Sequence, residues 1–443
     1  VPFFSTASRF PVLVVTALLA LSLWPVSAQA ADEDYAPVDR PGPELTVPQA
    51  DLEAALQCVG DFSGDLQPVL FVPPTGASGG QTFDWNYGNV FATEGRTFCA
   101  LGIPRQSLDD IQVSAEYIVH GIREMHERAG RRIAVLGHSQ GGMSPRWALR
   151  FWPDTRAMVD DQIGMAASHH GTTLVDQACS ALLPCAGAVW QQRSVSNFMA
   201  ALNSRQETFA GSDYTSIYTL FDEVVQPTTG PTPASELRTG DGDISNVVVQ
   251  DICPLNIYEH LAIGTIDPVT HALVMDALNN DGPADPARIP ASVCLQLLMP
   301  GVQPLALDYL AVLAAVPHVA TVPVSFANLP RAPVTPVEPA LRCYVLAAGC
   351  PVVPDETGGN PVTPVDTGTD VPADGTGGAA PVVPASTGSS APALSGGGTV
   401  STDGQGLPAA GAASHAGLVL AGLLALALGT QVVSARRFLD RLA

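Results

Sequence analysis

Lysine is absent from this chain: all 20 basic residues are arginine, set against 42 aspartates and glutamates for a formal net charge of -22 over 443 residues. Without lysine there is no P-loop amine to hold a phosphate and no amine for Schiff-base catalysis. The acidic excess leaves no field to attract a phosphate backbone, so no nucleic-acid partner is expected. Charged residues make up only 14% of the chain, against about a quarter in ordinary soluble domains. Cys-x-x-Cys motifs and close Cys/His pairs with zinc-finger spacing are also missing, so a structural metal site is not expected. No residue pattern requires a cofactor. In quantity the chain has hydrophobic residues, at 46% and a mean hydropathy of +0.21. Its 39 prolines and 41 glycines are too many for a bundle of membrane helices, so the apolar material must be divided among segments.

Both ends read as addresses. Arg9 precedes an apolar run from Phe10 to Trp24, then Pro25 and Ala28-Gln29-Ala30, the small-x-small pattern of a signal peptidase site. Residues 1–30 are therefore expected to be a signal peptide; an uncleaved anchor would need about 20 apolar residues. At the other end the apolar Ala416 to Val433 is followed by Arg436, Arg437 and Arg441, a positive stop. With Leu407-Pro408-Ala409-Ala410-Gly411 before it, the segment 407–443 resembles a sortase sorting signal of Gram-positive bacteria, with Ala410 where threonine is usual. A plain membrane anchor is the alternative. Residues 351–406 are Pro, Gly, Thr, Ser, Val and Asp with almost no large side chains, and read as an extended stalk. One folded unit remains, residues 31–350.

All eight cysteines, 58, 99, 179, 185, 253, 294, 343 and 350, lie in that unit. In an exported chain an even count reads as disulfides, and the short spacings 179/185 and 343/350 favour local loops. Arg132 to Gly137 is a β-branched run typical of a buried parallel strand. It leads into Gly137-His138-Ser139-Gln140-Gly141 and then an apolar helical pattern with Met143, Trp147, Ala148 and Phe151. Strand, Gly-x-Ser-x-Gly and helix in this order form a nucleophile elbow, with Ser139 as nucleophile. Composition alone produces the five-residue pattern in about one chain in four, and Gly76-Ala77-Ser78-Gly79-Gly80 is a second match. The residues after Ser78 show no helix-opening pattern, so that copy reads as a loop. Asp109 and Asp110 open a helix with apolar Ile111, Ala115, Ile118, Ile122 and Met125, closed by Gly130. With a strand at Pro68 to Val72 the order is strand, loop, helix, strand, elbow, helix, the connectivity of a doubly wound, mostly parallel α/β sheet.

The oxyanion hole of such a site takes the N–H of the residue after the nucleophile, here Gln140. The other donor comes from the loop after the early strand; Pro73 and Pro74 have no N–H, so Thr75 is the first able to donate, with its hydroxyl a further donor. The acid must follow the serine and the histidine must follow the acid. Ser216 to Phe221 reads as a strand with Asp222 at its end, and Glu223 is an equal on spacing. His260, His271 and His318 are the downstream histidines in the folded unit.

Beyond the elbow, Pro68 to Gly80 with Gln81-x-Phe83-Asp84, Val113-x-x-Glu116-Tyr117, Val189-Trp190-Gln191-Gln192, Asp222-Glu223-x-Val225-Gln226-Pro227 and Cys253 to His260 resemble the Candida antarctica lipase B-like family in order and spacing. These are secreted serine lipases of the α/β-hydrolase fold, and the likeness covers most of Leu52 to Cys350. It implies Asp222 as the acid, His260 as the base, Thr75 with Gln140 as the oxyanion hole, and disulfides 58–99, 253–294 and 343–350, leaving Cys179 and Cys185 as an extra pair. It also implies Gln192, Ser168 and Val225 as substrate-binding residues, Ser168 standing where the family has an aspartate. The neighbouring His169 and His170 are expected in a solvated loop. An apolar stretch, Leu305 to Val316, is similar to a helix that flanks the entrance in the family. Pro74 replaces a family glycine.

The expectation is thus an extracellular serine hydrolase cleaving lipophilic carboxylic esters, of acylglycerol or similar type, through an acyl-enzyme. It would act without metal or cofactor, as a monomer, attached to the cell wall by sortase or to the membrane by its last segment. The alternatives are a non-catalytic surface adhesin on the same fold or, among enzymes, a polyester depolymerase or an envelope acyl hydrolase, since fold does not fix substrate.

Overall fold

A computed structural model describes residues 32–180, 182–302 and 333–351. The expected signal peptide, stalk, sorting signal, Leu305 to Val316 helix and His318 lie outside the described residues.

Seven strands make the main sheet: β1 (Leu56–Val59), β2 (Val69–Val72), β3 (Phe98–Leu101), β4 (Ile133–His138), β5 (Val159–Met165), then, beyond the two-residue β6 (Cys185–Ala186), β7 (Asp213–Tyr218) and β8 (Asp243–Val248). Their order across the sheet is β1-β3-β2-β4-β5-β7-β8. Only β1 runs antiparallel. Every residue of β2, β3 and β4 is buried, as expected of strands covered by helices on both faces. The β1 edge is closed covalently, because Cys58 stands opposite Cys99 in the ladder and the two are bonded. Three further disulfides join Cys179 to Cys185, Cys253 to Cys294 and Cys343 to Cys350.

The helix Ile111–Ala129 covers one face of the sheet. Asp110 caps it by accepting from the Gln112 N–H at 2.9 Å, and Gly130 ends it at φ 62°, a left-handed position that suits glycine. Its recurring Ile111, Ala115, Ile118, Ile122 and Met125 are all fully buried, which gives the helix its orientation. The described ends of the chain meet: Tyr35 bridges Leu346, the Ala36 N–H donates to the Val345 carbonyl at 2.8 Å, and Arg40 donates to the Leu346 carbonyl at 2.6 Å.

Two expectations need correction. The stretch after Ser78 is a helix, Gly79–Phe83, whose Ser78 and Gln81 form a reciprocal capping box. The Ser-x-x-Gln signal was in the sequence but short of the apolar run that usually accompanies it. The strand expected over Ser216 to Phe221 runs instead over Asp213–Tyr218, so Asp222 sits in the following loop.

At the amino ends of the central strands the register aligns three carboxylates: Asp161 pairs with Asp213 and Asp213 with Asp243. Asp161 is only 5% exposed. Burial raises its pKa to about 7, with Asp160 and Asp213 adding to the shift and the hydrogen bond from Gln67 and the charge of Arg132 opposing it.

Candidate active site

Strand β4 delivers Ser139 at its carboxyl end, at φ 57° and ψ -124°, a strained backbone for a non-glycine residue. The glycines around it are sterically required. A Cβ on Gly137 would lie 1.9 Å from the Gly141 carbonyl oxygen, and one on Gly141 would lie 2.2 Å from that of Val72. The Ser139 N–H donates to the Met165 carbonyl at 2.8 Å, fixing the turn to β5.

Three side chains from three segments then line up. His260 Nε2 is 3.0 Å from Ser139 Oγ and its Nδ1 is 2.9 Å from Asp222 Oδ2. A carboxylate only accepts, so Nδ1 carries the proton and Nε2 faces the serine hydroxyl as acceptor. The other oxygen of Asp222 accepts from the Val224 and Val225 N–H groups at 2.8 and 2.7 Å, which fixes the carboxylate plane. Glu223, the alternative on spacing, instead accepts from the main-chain N–H of His260 at 3.3 Å, and His271 is buried in the helix Pro268–Asn279 against Tyr87.

The loops bearing acid and base are tied together by residues the sequence did not single out. Gln250 donates to Thr219 Oγ1 at 2.8 Å and to the Asn256 carbonyl at 3.0 Å, and accepts from the Leu220 N–H at 3.0 Å. Thr219 in turn donates to the Tyr258 carbonyl at 2.9 Å. The Cys253–Cys294 bond anchors the start of the base loop. His138 reaches across from the elbow, its Nε2–H donating to the His260 carbonyl at 2.8 Å. It packs where a Cβ on Gly264 would come within 2.2 Å of its ring. Burial, with His260 beside it, lowers the His138 pKa to about 3, so it is a neutral strut.

Electrostatics at His260 favour the imidazolium. Burial opposes protonation, but Asp222, aided by Glu223 and Glu259, outweighs it and the pKa is raised. Glu259 caps the short helix His260–Ile263 by accepting from the Leu261 and Ala262 N–H groups. Burial, then Glu223, raises the Glu259 pKa to about 7.

On the opposite side of Ser139 lie Thr75 and Gln140. Among the described residues neither of their main-chain N–H groups donates to another protein group, which leaves both free for a substrate oxygen. Their side chains are engaged with each other: Thr75 Oγ1 is 2.6 Å from Gln140 Oε1. Gln192 Nε2 approaches both, at 2.9 and 3.1 Å.

The residues implied as substrate-binding are differently placed. Gln192 adjoins the oxyanion loop. Ser168 has no exposed surface and bonds Gln192 from behind at 3.0 Å; a substrate contact is replaced by a supporting one. Val225 is 2% exposed and serves Asp222 through its N–H. His169 and His170 are not in a solvated loop. His169 is fully buried, Arg146 donates to its carbonyl at 3.3 Å, and His170 Nε2 donates to the Glu236 carbonyl at 3.0 Å. Burial, with Arg146 nearby, pushes both pKa values well down. The buried Arg146, invisible as a partner in sequence, pulls this segment inward. Among the described residues no group of three or more His, Cys, Asp or Glu could hold a metal ion.

No protein-family model matches the chain. It is similar to lipase B of Pseudozyma antarctica, with 34% identity over 221 residues that cover 49% of this chain and 64% of that protein's length. The match thus spans a little under two thirds of the curated relative. Among solved structures it is similar to Aspergillus fumigatus lipase B, with a TM-score of 0.61 and 32% identity, covering 70% of this chain and 74% of that one.

Proposed function

We propose a function from one premise: the chain belongs to the lipase B family of α/β-hydrolases. The protein is a serine ester hydrolase acting on lipophilic carboxylic esters of acylglycerol or similar type. The observation that carries this reading is the directed chain Ser139–His260–Asp222, with contacts of 3.0 and 2.9 Å.

In the reaction, Ser139 Oγ attacks the ester carbonyl carbon while its proton passes to His260 Nε2. Asp222 holds the tautomer and stabilises the imidazolium. The negative charge on the former carbonyl oxygen is met by the Thr75 and Gln140 N–H groups; one such donor is worth about 3 kcal/mol in characterised hydrolases. His260 then gives its proton to the leaving alkoxide, which departs as the alcohol and leaves the acyl group on Ser139. Water, deprotonated by the same imidazole, attacks the acyl carbon and releases the acid.

The protein works outside the cell: an unbroken set of four disulfides suits an oxidising compartment. The N-terminal apolar run and the 407–443 segment support export and surface attachment, through sortase or as a membrane anchor, with 351–406 as the stalk. The test is Ser139→Ala, which should abolish turnover of short and medium p-nitrophenyl esters and labelling by a fluorophosphonate while leaving the thermal unfolding curve intact. Equal turnover by wild type and variant would sink the reading.

A further inference from the structure

We infer that Ser168 is a positioning residue for the oxyanion hole: by fixing the amide of Gln192 it keeps the hydroxyl proton of Thr75 available to the substrate oxyanion. The inference rests on the ester-hydrolase reading and comes from hydrogen-bond direction, which two main-chain carbonyls determine.

A carbonyl oxygen only accepts. Gln140 Nε2 lies 3.1 Å from the Ser107 carbonyl, so its Oε1 must face Thr75 and Gln192. Gln192 Nε2 lies 3.2 Å from the Ala188 carbonyl, so its Oε1 faces Ser168 Oγ at 3.0 Å, and Ser168 must be the donor there. The Gln192 amide has two hydrogens for three acceptors: one points to the Ala188 carbonyl, and the other is shared between Thr75 Oγ1 at 2.9 Å and Gln140 Oε1 at 3.1 Å. Thr75 Oγ1 is thereby an acceptor toward Gln192, and its own proton has to go elsewhere. At rest it goes to Gln140 Oε1, 2.6 Å away.

When an oxyanion forms beside Ser139, the Thr75 proton can swing to it at little cost, because Gln140 Oε1 keeps its bond from Gln192. The arrangement fails if the Gln192 amide turns over. Its Oε1 would then face Thr75 and capture the hydroxyl proton, and would also face the Gln140 oxygen and the Ala188 carbonyl with nothing between. The donor from Ser168 holds the amide the productive way round.

The anchor on the other side is itself unusual. Arg105, Gln106 and Ser107 are three successive non-glycine residues at φ 50°, 56° and 60°, a left-handed conformation that side chains with a Cβ disfavour. Ser107 supplies the carbonyl that orients Gln140, and Gln106 supplies one that accepts from the Gly76 N–H at 2.8 Å, next to Thr75. Strain of this kind, placed against a reactive site, belongs with preorganisation.

The experiment is a double-mutant cycle on the full chain with p-nitrophenyl butyrate. Ser168→Ala should lower kcat about 10-fold, a fraction of what a lost oxyanion donor costs, with KM within about twofold. Thr75→Val should lower kcat further, and Ser168→Ala added to Thr75→Val should have no additional effect, because the proton it serves is gone. Additive losses, a change confined to KM, or wild-type kcat in Ser168→Ala would each overturn the inference. Should Ser168→Ala fail to fold, Gln192→Met, which removes the amide at similar volume, must show the same kcat loss and the same silence in the Thr75→Val background; an undiminished kcat overturns it. Activity in wild type that is absent in Ser139→Ala keeps the ester-hydrolase reading whatever Ser168 does. A wild type without turnover removes both.

Discussion

The two ends of the central sheet handle buried polar groups in opposite ways. At the carboxyl ends of β4 and β7, Asp222 is held by two N–H groups and an imidazole, and that imidazole faces Ser139. At the amino ends of β5, β7 and β8 the same parallel register sets Asp161, Asp213 and Asp243 beside one another, and Asp161 has one amide, Gln67, at 3.1 Å. Parallel pairing places equivalent positions side by side at both ends. Only where loops bring donors from elsewhere does that alignment become a site; where they do not, it is an electrostatic load.

Asp222→Asn should break the ordered end most. The amide offers a donor where Nδ1–H points, so His260 loses its tautomer, and kcat should fall on the order of 10⁴-fold while the circular dichroism spectrum is unchanged; a fall below tenfold would mean that Asp222 does not orient the base.

A smaller effect should appear in the pH profile. His260 must be neutral to accept the serine proton, and the charged groups facing it are Asp222, Glu223 and Glu259, with neutral His138 on the elbow side. Because its pKa is raised, the acid limb of kcat/KM should lie on the alkaline side of about 6.5, where free imidazole titrates. Each carboxylate stabilises the imidazolium, so Glu223→Gln and Glu259→Gln should move that limb to lower pH without changing the alkaline plateau. A limb that stays in place would separate these two groups from the base.

The loaded end should yield a stabilising change. The carboxyl of Asp161 binds its proton more tightly folded, near pH 7, than unfolded, near 3.9. Its contribution to stability is therefore complete below the unfolded value and is lost as pH rises through the folded one. Asp161→Asn keeps an acceptor for Gln67 and should escape that loss, gaining up to about 4 kcal/mol at pH 8 and almost nothing at pH 4. Urea unfolding at both values measures the difference, and an equal effect at both would show that the row of aspartates carries no charge-dependent cost.

Legibility in the sequence tracks distance along the chain. The β-branched run into Gly137–Gly141 and the capped Ile111–Ala129 helix are local patterns, and local patterns declare themselves. Thr75 follows from chemistry, since prolines cannot donate, and Gln140 follows from the elbow, whose next residue supplies an N–H. Gln250 and Thr219 had no such signature, because they matter only once β7 and β8 are paired and the base loop folds over them. The family likeness points Ser168 at the substrate, whereas its burial behind Gln192 gives it a different task. The left-handed turn at Arg105–Ser107 was hidden because none of its residues is glycine or asparagine, the types that usually announce one. The aspartate row depends on the register of three strands, which no single stretch of sequence states.

The pairing of Tyr35 with Leu346 gives the folded unit a nearly closed contour. Its entry and exit points are neighbours, so a version of the chain could be joined there by a linker of a few residues and opened in an exposed turn elsewhere, such as the one at Gly230. Such a rearranged chain would keep every strand neighbour of the sheet, and its new ends could be placed independently of where Ser139 stands.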